Sequence, residues 1–349
     1  MINVLVVEDS PVVRELLVHI LSSDPEIWVN GTAGNGEEAV EHVKCKKPDV
    51  ITMDIIMPKM NGFEATRRIM ETCPTPTVIV SGNWDTQEVA TTFHAMEAGA
   101  LAVVQRPTGI GHPDHERMAA ELILTVKLMS EIKVVRRWAH LSREKSSLTT
   151  PPEIRMSSVP AGIQLIAIGA STGGPAALQT ILAGLPNDFP VPILIVQHMT
   201  PGFIQGFAEW LAQSSGFPVQ IAVHGEPLLP GRAYVAPDGT HLEVENGSRI
   251  VLSQDAPESG LRPSVAHLFH SVAEVFGRDA IGVLLTGMGR DGARELKQMK
   301  EKGAITIAQD QESSVIHGMP GEAIKMEAAT YVLPLERIAT TLTSLVKKR

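Results

Sequence analysis

The sequence predicts two doubly wound α/β domains in tandem, each built on a parallel sheet. Two observations carry this. Apolar runs of strand length alternate with amphipathic stretches of helix length, and the alternation occurs twice along the chain. That is the pattern of βα units, which pair their strands in parallel. A polar stretch at 141–160, containing Ser-Ser-Leu-Thr-Thr-Pro-Pro, divides the two series and reads as an exposed linker.

In the first series, 4–7, 50–53, 77–80 and 102–104 are apolar enough for buried strands. Residues 11–22, 36–46, 62–71, 86–98 and 115–138 have helical patterning. The second series offers strands at 163–168, 192–197, 219–223, 280–286 and 304–308, with helices at 176–184, 203–213, 263–276 and 290–302. Between them, 233–253 reads as a small β-meander, with Pro-Asp-Gly at 237–239 and Asn-Gly at 246–247 as turns. The expected limits are 1–125 for the first domain, 126–160 for a helical and polar linker, and 161–349 for the second domain. Sheets of this kind place ligands at the carboxyl ends of their strands.

Composition narrows the function classes. The 349 residues are 44% hydrophobic and 20% charged, as in soluble globular proteins. Cys45 and Cys73 are the only cysteines, too few for a disulfide framework and in keeping with a reducing compartment. The first residues carry acids and no basic n-region, unlike a signal peptide. The longest apolar runs fall short of a membrane span. The expected location is the cytosol, without membrane insertion. Net charge is −9 overall: 9 basic against 18 acidic residues in 1–125, 6 against 2 in 126–146, and 15 against 19 in 147–349. The basic segment has little aromatic content beyond Trp138 and lies between acidic domains. It reads as a solvated helix and linker, and no nucleic-acid partner is expected.

Glu8 and Asp9 follow the first strand, and Asp54 follows 50–53. Neighbouring strand ends would gather these carboxylates into an oxygen-rich site suited to Mg²⁺. One of them, in line with a phosphoryl group, can act as a nucleophile. Ser81 and Arg106 end the next two strands and offer a hydroxyl and a cation. Any one of these acids alone is an ordinary turn residue. Glu-Asp-Ser, Met-Asp-Ile-Ile-Met-Pro-Lys-Met-Asn-Gly-Phe-Glu, Val-Ser-Gly and Ala-Gly-Ala in that order are not. Residues 1 to about 125 closely resemble the response-regulator receiver domain. The resemblance implies a (βα)5 fold, with Asp54 as phospho-acceptor and Ser81 as the switch hydroxyl. It also implies Mg²⁺ held by Glu8, Asp9, Asp54 and the Ile56 carbonyl. Receivers usually have Lys where Arg106 precedes Pro107, and Arg is a larger, planar cation.

Ser171 lies in Ile-Gly-Ala-Ser-Thr-Gly-Gly-Pro, where a strand runs into a turn and Pro175 suits the first helical turn. Small residues there allow a tight strand-to-helix turn whose helix N-terminus offers amide donors. Gly169-x-Ser171-x-Gly173 matches a nucleophile elbow. His198 and Asp291 end or follow other strands, so strand ends of one sheet could assemble a Ser-His-Asp triad, which geometry rather than chain order defines. Taken singly, His198 could be a buried, satisfied histidine and Asp291 a helix N-cap. A competing pattern is Gly287-x-Gly289-x-x-Gly292 after a strand, with Asp310 near the spacing of a ribose-binding acid. It makes a nucleotide-binding signalling module the alternative, although little chain follows for a second mononucleotide half. His112/His115 and His267/His270 have ligand-like spacing without cysteines or a supporting carboxylate cluster in sequence, and read as ordinary histidines. Met53, Met57 and Met60 read as packing.

Gly-Ala-Ser-Thr-Gly-Gly, Gln-His-Met, Tyr-Val-Ala-Pro-Asp-Gly and Leu-Thr-Gly-Met-Gly-Arg-Asp-Gly follow in order behind the receiver-like segment. Over nearly its whole length the chain resembles the chemotaxis protein-glutamate methylesterase family. The resemblance implies hydrolysis of glutamyl γ-methyl esters on methyl-accepting chemoreceptors, with deamidation of receptor glutamines. It implies Ser171 as nucleophile, His198 as base, Asp291 as orienting acid, the Met288 amide at the oxyanion and Thr172 at the border of the site. No cofactor is implied for the esterase. A chemotaxis histidine kinase is implied as phosphodonor. A third reading keeps the same two domains but makes the chain a binding protein whose triad is idle.

Overall fold

The computed structural model describes residues 1–82, 98–132, 134 and 162–346. The first domain carries β1 (Ile2–Val7), β2 (Ile27–Ala33), β3 (Val50–Met53), β4 (Thr77–Ser81) and β5 (Ala102–Gln105) in a parallel sheet of order β2-β1-β3-β4-β5. Helices α1 (Pro11–Ser22), α2 (Gly36–Cys45), α3 (Gly62–Thr72) and α4 (His115–Ser130) cover it. β1, β3 and β4 are buried along almost their whole length, as strands covered on both faces must be. β2 was not visible as an apolar run. It is the edge strand, its Asn30 and Gly31 are only half buried, and Trp28 is exposed, so only part of it needs apolar residues.

The expected helix at 86–98 falls almost wholly on 83–97, outside the described residues, as does the linker at 141–160. The last helix of this domain ends at Ser130 rather than 138. Its buried face is Met118, Leu122, Val126 and Met129, Ile132 still packs against the core past its end, and 133 and 135–138 of the expected helix lie outside the described residues. Val126 and Met129 join the core of the first domain, so the packed unit runs beyond residue 125.

The second domain is a seven-stranded parallel sheet. Its strands are β6 (Leu165–Ala170), β7 (Ile193–Gln197), β8 (Val219–Ile221), β9 (Ala233–Val235), β12 (Ala280–Leu284), β13 (Ile305–Gln309) and β14 (Tyr331–Leu333), in the order β14-β13-β12-β6-β7-β9-β8. Helices α5 (Gly174–Ala183), α6 (Ile204–Ser215), α7 (Val265–Val275), α8 (Ala293–Glu301), α9 (Met319–Lys325) and α10 (Leu335–Val346) flank it. The expected meander is corrected. Within 233–253, β10 (His241–Glu245) and β11 (Arg249–Ser253) pair antiparallel as a two-stranded hairpin. Ala233–Val235 is wholly buried and lies parallel between β7 and β8. The three residues of β9 are apolar on both faces, which suits a sheet interior and not a solvated hairpin. β6 is central, with β7 and β12 on either side. The chain segments leaving these three strands therefore meet at one end of the sheet.

Candidate active site and phospho-acceptor pocket

Ser171 is the first residue past β6. Its amide donates to the Thr286 carbonyl at 3.0 Å and its carbonyl accepts from the Gly174 amide at 2.7 Å, closing a tight turn into α5. Gly173 takes φ 79° as the N-cap of that helix and Pro175 occupies its first turn. Gly174 is required by space: a Cβ there would fall 2.0 Å from Gln197 Oε1. His198 is the first residue past β7, and its amide donates to the Ala170 carbonyl at 2.9 Å. Ser171, Thr172 and His198 line one cavity of about 450 Å³.

Asp291 lies behind His198. His198 Nε2 and Asp291 Oδ2 are 2.9 Å apart. The ring N–H is not well aligned on the oxygen. With Nε2 turned to the acid, Nδ1 is the ring nitrogen left to act as a base. The carboxylate is also cradled by the N-terminus of α7. Val265 N donates to Oδ2 at 2.7 Å, Ala266 N to Oδ1 at 3.1 Å, and Ser264 Oγ to Oδ1 at 3.0 Å. Burial alone would push this carboxyl up; the His198 contact and the two amides outweigh it and hold it below the usual aspartate range.

Sequence patterning did not expose three further residues. Gln197, buried at the end of β7, donates from Nε2 to the Ser171 carbonyl at 2.9 Å and the His198 carbonyl at 2.8 Å. It ties the two turns together. Thr286, just past β12, hydrogen-bonds the Thr172 carbonyl through Oγ1 at 2.9 Å. Ser264 supports Asp291 from 27 residues away. The Gln-His-Met string contained the first of these, but nothing local distinguishes its role. Met288 is not among the residues lining the Ser171 cavity, and its side chain is exposed. Its neighbour Gly287 is pressed against the Ser171 turn, where a Cβ would lie 2.7 Å from Ser171 Cβ.

The glycines of the Gly-x-Gly-x-x-Gly string have packing and turn roles. Gly292 caps α8 with φ 77°, and a Cβ on it would meet Val265 Cγ1 at 2.4 Å. Asp310 turns inward to its own loop, accepting from Ser313 N at 2.9 Å and Ser313 Oγ at 2.7 Å. His112 faces Asp114 and His115 contacts the Thr108 carbonyl. For His267 the absence of a supporting carboxylate cluster is corrected. Glu243 Oε1 lies 2.9 Å from its Nδ1, and Asp255 offers an oxygen within 4.8 Å of the others. The hairpin and α7 bring these three together from separate stretches, which spacing along the chain does not reveal.

The opposite wall of the Ser171 cavity belongs to the first domain: Leu101, Ala102 and Val103 at β5, and Arg117, Glu121 and Thr125 on α4. Ile316 of the second domain packs against the first domain's core. The edge of β5 and the outer face of α4 thus stand over the serine.

At the other end of the first domain, Glu8, Asp9, Ser10, Asp54, Ile56, Ser81 and Arg106 line a separate pocket of about 500 Å³. Glu8, Asp9 and Asp54 each present a carboxylate oxygen within 4.8 Å of the others. Glu8 Oε2 is buried with no hydrogen-bond partner, which suits a cation ligand. Burial, then the charge of Asp54, raises Glu8 to about 7 despite Arg106. Burial likewise raises Asp54, with Arg106 opposing. Gly62 is needed beside it, because a Cβ would strike the Asp54 carbonyl oxygen at 1.9 Å. Among the described residues, no helix is long and apolar enough to cross a membrane.

Residues 166–342 match the CheB methylesterase family model, and residues 4–112 match the response regulator receiver domain model. A protein-glutamate methylesterase/protein-glutamine glutaminase of Nitrosospira multiformis is 61% identical over 349 residues, covering 100% of this chain and 98% of that one. One from Geobacter metallireducens is 58% identical over 350 residues, covering 100% of both. The CheB methylesterase catalytic domain of Thermotoga maritima is similar in structure, with a TM-score of 0.51 at 38% identity over 54% of this chain and 100% of that one.

Proposed function

The chain belongs to the CheB methylesterase family, and on that premise we propose which residues carry out and control its reaction. It is a phosphorylation-controlled protein-glutamate methylesterase and protein-glutamine glutaminase, with a receiver preceding the catalytic domain. Its substrates are the methylated glutamates and the glutamines of chemoreceptors. A chemotaxis histidine kinase is the phosphodonor, and the cytoplasm is the place of action. The receiver comprises 1–125 with the helix that continues from it, and 161–349 forms the esterase.

Ser171 Oγ attacks the γ-carbonyl of the glutamyl ester while His198 takes its proton through Nδ1. Asp291 holds His198 in the tautomer that leaves Nδ1 free, and stabilises the imidazolium that forms. The Met288 amide, beside the Gly287 turn, donates to the oxyanion. Thr172 borders the substrate. The C–O bond to the methoxy group (or the C–N bond of a glutamine) then breaks as the His198 imidazolium gives its proton to the departing oxygen or nitrogen, releasing methanol or ammonia and leaving an ester on Ser171. A water activated by the same base releases the free carboxylate. The observation that carries this reading is the cavity that holds Ser171 and His198 together, with Asp291 2.9 Å behind the imidazole.

In the receiver, Asp54 accepts the phosphoryl group, and Ser81 and Arg106 contact it. Glu8, Asp9, Asp54 and the Ile56 carbonyl would hold Mg²⁺, which supplies the positive charge that phosphoryl transfer needs. The receiver wall over the serine admits small molecules and excludes a receptor helix. Phosphorylation favours an arrangement in which the wall has moved, by as much as the two arrangements differ in stability once Asp54 is modified.

The test is methanol release from methylated receptor. Ser171→Ala should lower the rate by on the order of 10⁵-fold or more, with the melting transition unchanged. Near-parental release would remove Ser171 from the nucleophile's role.

A further inference from the structure

Arg106 stands where receivers usually have Lys, and its neighbourhood accounts for the larger group. β4 and β5 run parallel with Ser81 opposite Gln105, so the next step along both strands sets Gly82 beside Arg106. Gly82 does not have a positive φ, so its backbone is one that any residue adopts. What glycine provides here is room. A Cβ at position 82 would lie 2.7 Å from Arg106 Cζ, 2.8 Å from Nη1 and 2.9 Å from Nε. Those separations are far inside van der Waals contact, so a side chain at 82 would displace the guanidinium, a bulkier group than a single ammonium.

Seated in that gap, the guanidinium places Nη2 3.4 Å from Asp54 Oδ1 and 3.5 Å from Glu8 Oε2. Glu8 is 1% exposed, its Oε2 has no hydrogen-bond partner, and Arg106 Nε is likewise buried and unpartnered. The distances are too long for a forked pair with either acid. Charge and the space at Gly82 hold the cation between the two carboxylates.

We propose that Arg106 is a resident counter-cation of the receiver pocket, seated by the missing side chain of Gly82, and that it competes with Mg²⁺ for Glu8 and Asp54. The inference rests on the Mg²⁺ reading of this pocket. A divalent ion bound to these carboxylates meets a positive group that already compensates them. It binds against that group's repulsion or displaces it. Gly82 is thus a positioning residue for Arg106, and the two act as a pair.

Calorimetric Mg²⁺ titration of the unphosphorylated full chain tests this without reading activity. Arg106→Ala should tighten Mg²⁺ binding by roughly tenfold, the effect of removing one nearby charge from a partly buried site. Gly82→Ala, an exposed position, should push the guanidinium off the acids and tighten binding several-fold. In an Arg106→Lys background the same Gly82→Ala change should have almost no effect, because the shorter cation does not fill the gap. Unchanged Mg²⁺ affinity in Arg106→Ala, or an equal effect of Gly82→Ala in both backgrounds, would overturn the proposal. Asp54→Asn separates the two levels of the argument. If it weakens Mg²⁺ while Arg106→Ala changes nothing, the metal reading stands and the competition fails. If Asp54→Asn leaves Mg²⁺ binding unaltered, both fail.

Discussion

Replacing Asp291 with Asn keeps the shape of the side chain and removes its ability to accept on both ends. Oδ2 faces two donors, His198 Nε2 at 2.9 Å and Val265 N at 2.7 Å, while Oδ1 faces Ser264 Oγ at 3.0 Å and Ala266 N at 3.1 Å. Whichever end the NH₂ group takes, it confronts a backbone N–H of α7 that cannot turn away. One buried donor pair left facing costs about 1–3 kcal/mol of stability. If the NH₂ takes the Oδ2 end, His198 Nε2 must accept, the ring proton moves to Nδ1, and the base facing Ser171 is lost. If it takes the other end, the imidazolium loses its counter-charge. Either way the rate of methanol release should fall by about 10³–10⁴-fold, or roughly 4–5.5 kcal/mol of barrier. The loss should stay below that of Ser171→Ala, because the proposed nucleophile is retained. The assay is single-turnover demethylation of receptor, with urea unfolding of both proteins alongside. The stability term has a definite sign in pH. The folded Asp291 carboxyl lies below its ordinary value, so its contribution is full above the unfolded pKa of about 3.9 and is lost as pH falls through the folded value. Parent and variant should therefore differ in urea midpoint at neutral pH and converge in acid. A variant within threefold of the parental rate would refute the claim that this carboxylate sets the tautomer of His198.

Two further outcomes follow from the cavity wall and the glycine string. Removing residues 1–140 takes away Leu101 to Val103 and α4, which face Ser171, so the remaining domain should demethylate receptor faster than the unphosphorylated full chain. Asp54→Asn should abolish acceleration by a small phosphodonor, and equal rates of full chain and isolated domain without phosphodonor would sink the blocking model. No NAD or NADP binding is expected at Gly287–Gly292, since Asp310 is engaged by Ser313 and Gly287 and Gly292 are packed against Ser171 and Val265. Micromolar binding in calorimetry that disappears in Asp310→Ala would reverse this.

What the sequence determined by itself was local or ordinal. Buried parallel strands such as β1, β3 and β7 are continuous apolar runs because both faces are covered, so they can be read directly. The residues that follow such strands fall at the carboxyl edge of a sheet, which is why Glu8, Asp54, Ser171 and His198 could be picked out before any coordinates. The edge strand β2 and the three-residue β9 escaped or were misread, since partial burial and short length erase the periodic signal. Tertiary structure decided which strand ends are neighbours and what lies between them. Asp291 receives its hydrogen bonds from the start of α7, 25 to 27 residues earlier in the chain. Glu243 and Asp255 reach His267 only because the hairpin packs on that helix. In the sequence Gly82 only closes the Val-Ser-Gly string and Arg106 is a departure at the end of a later strand, with nothing along the chain to link them. The β4–β5 register sets them side by side. Such pairings depend on strand order and on close packing between distant segments, and no spacing along the chain encodes either one.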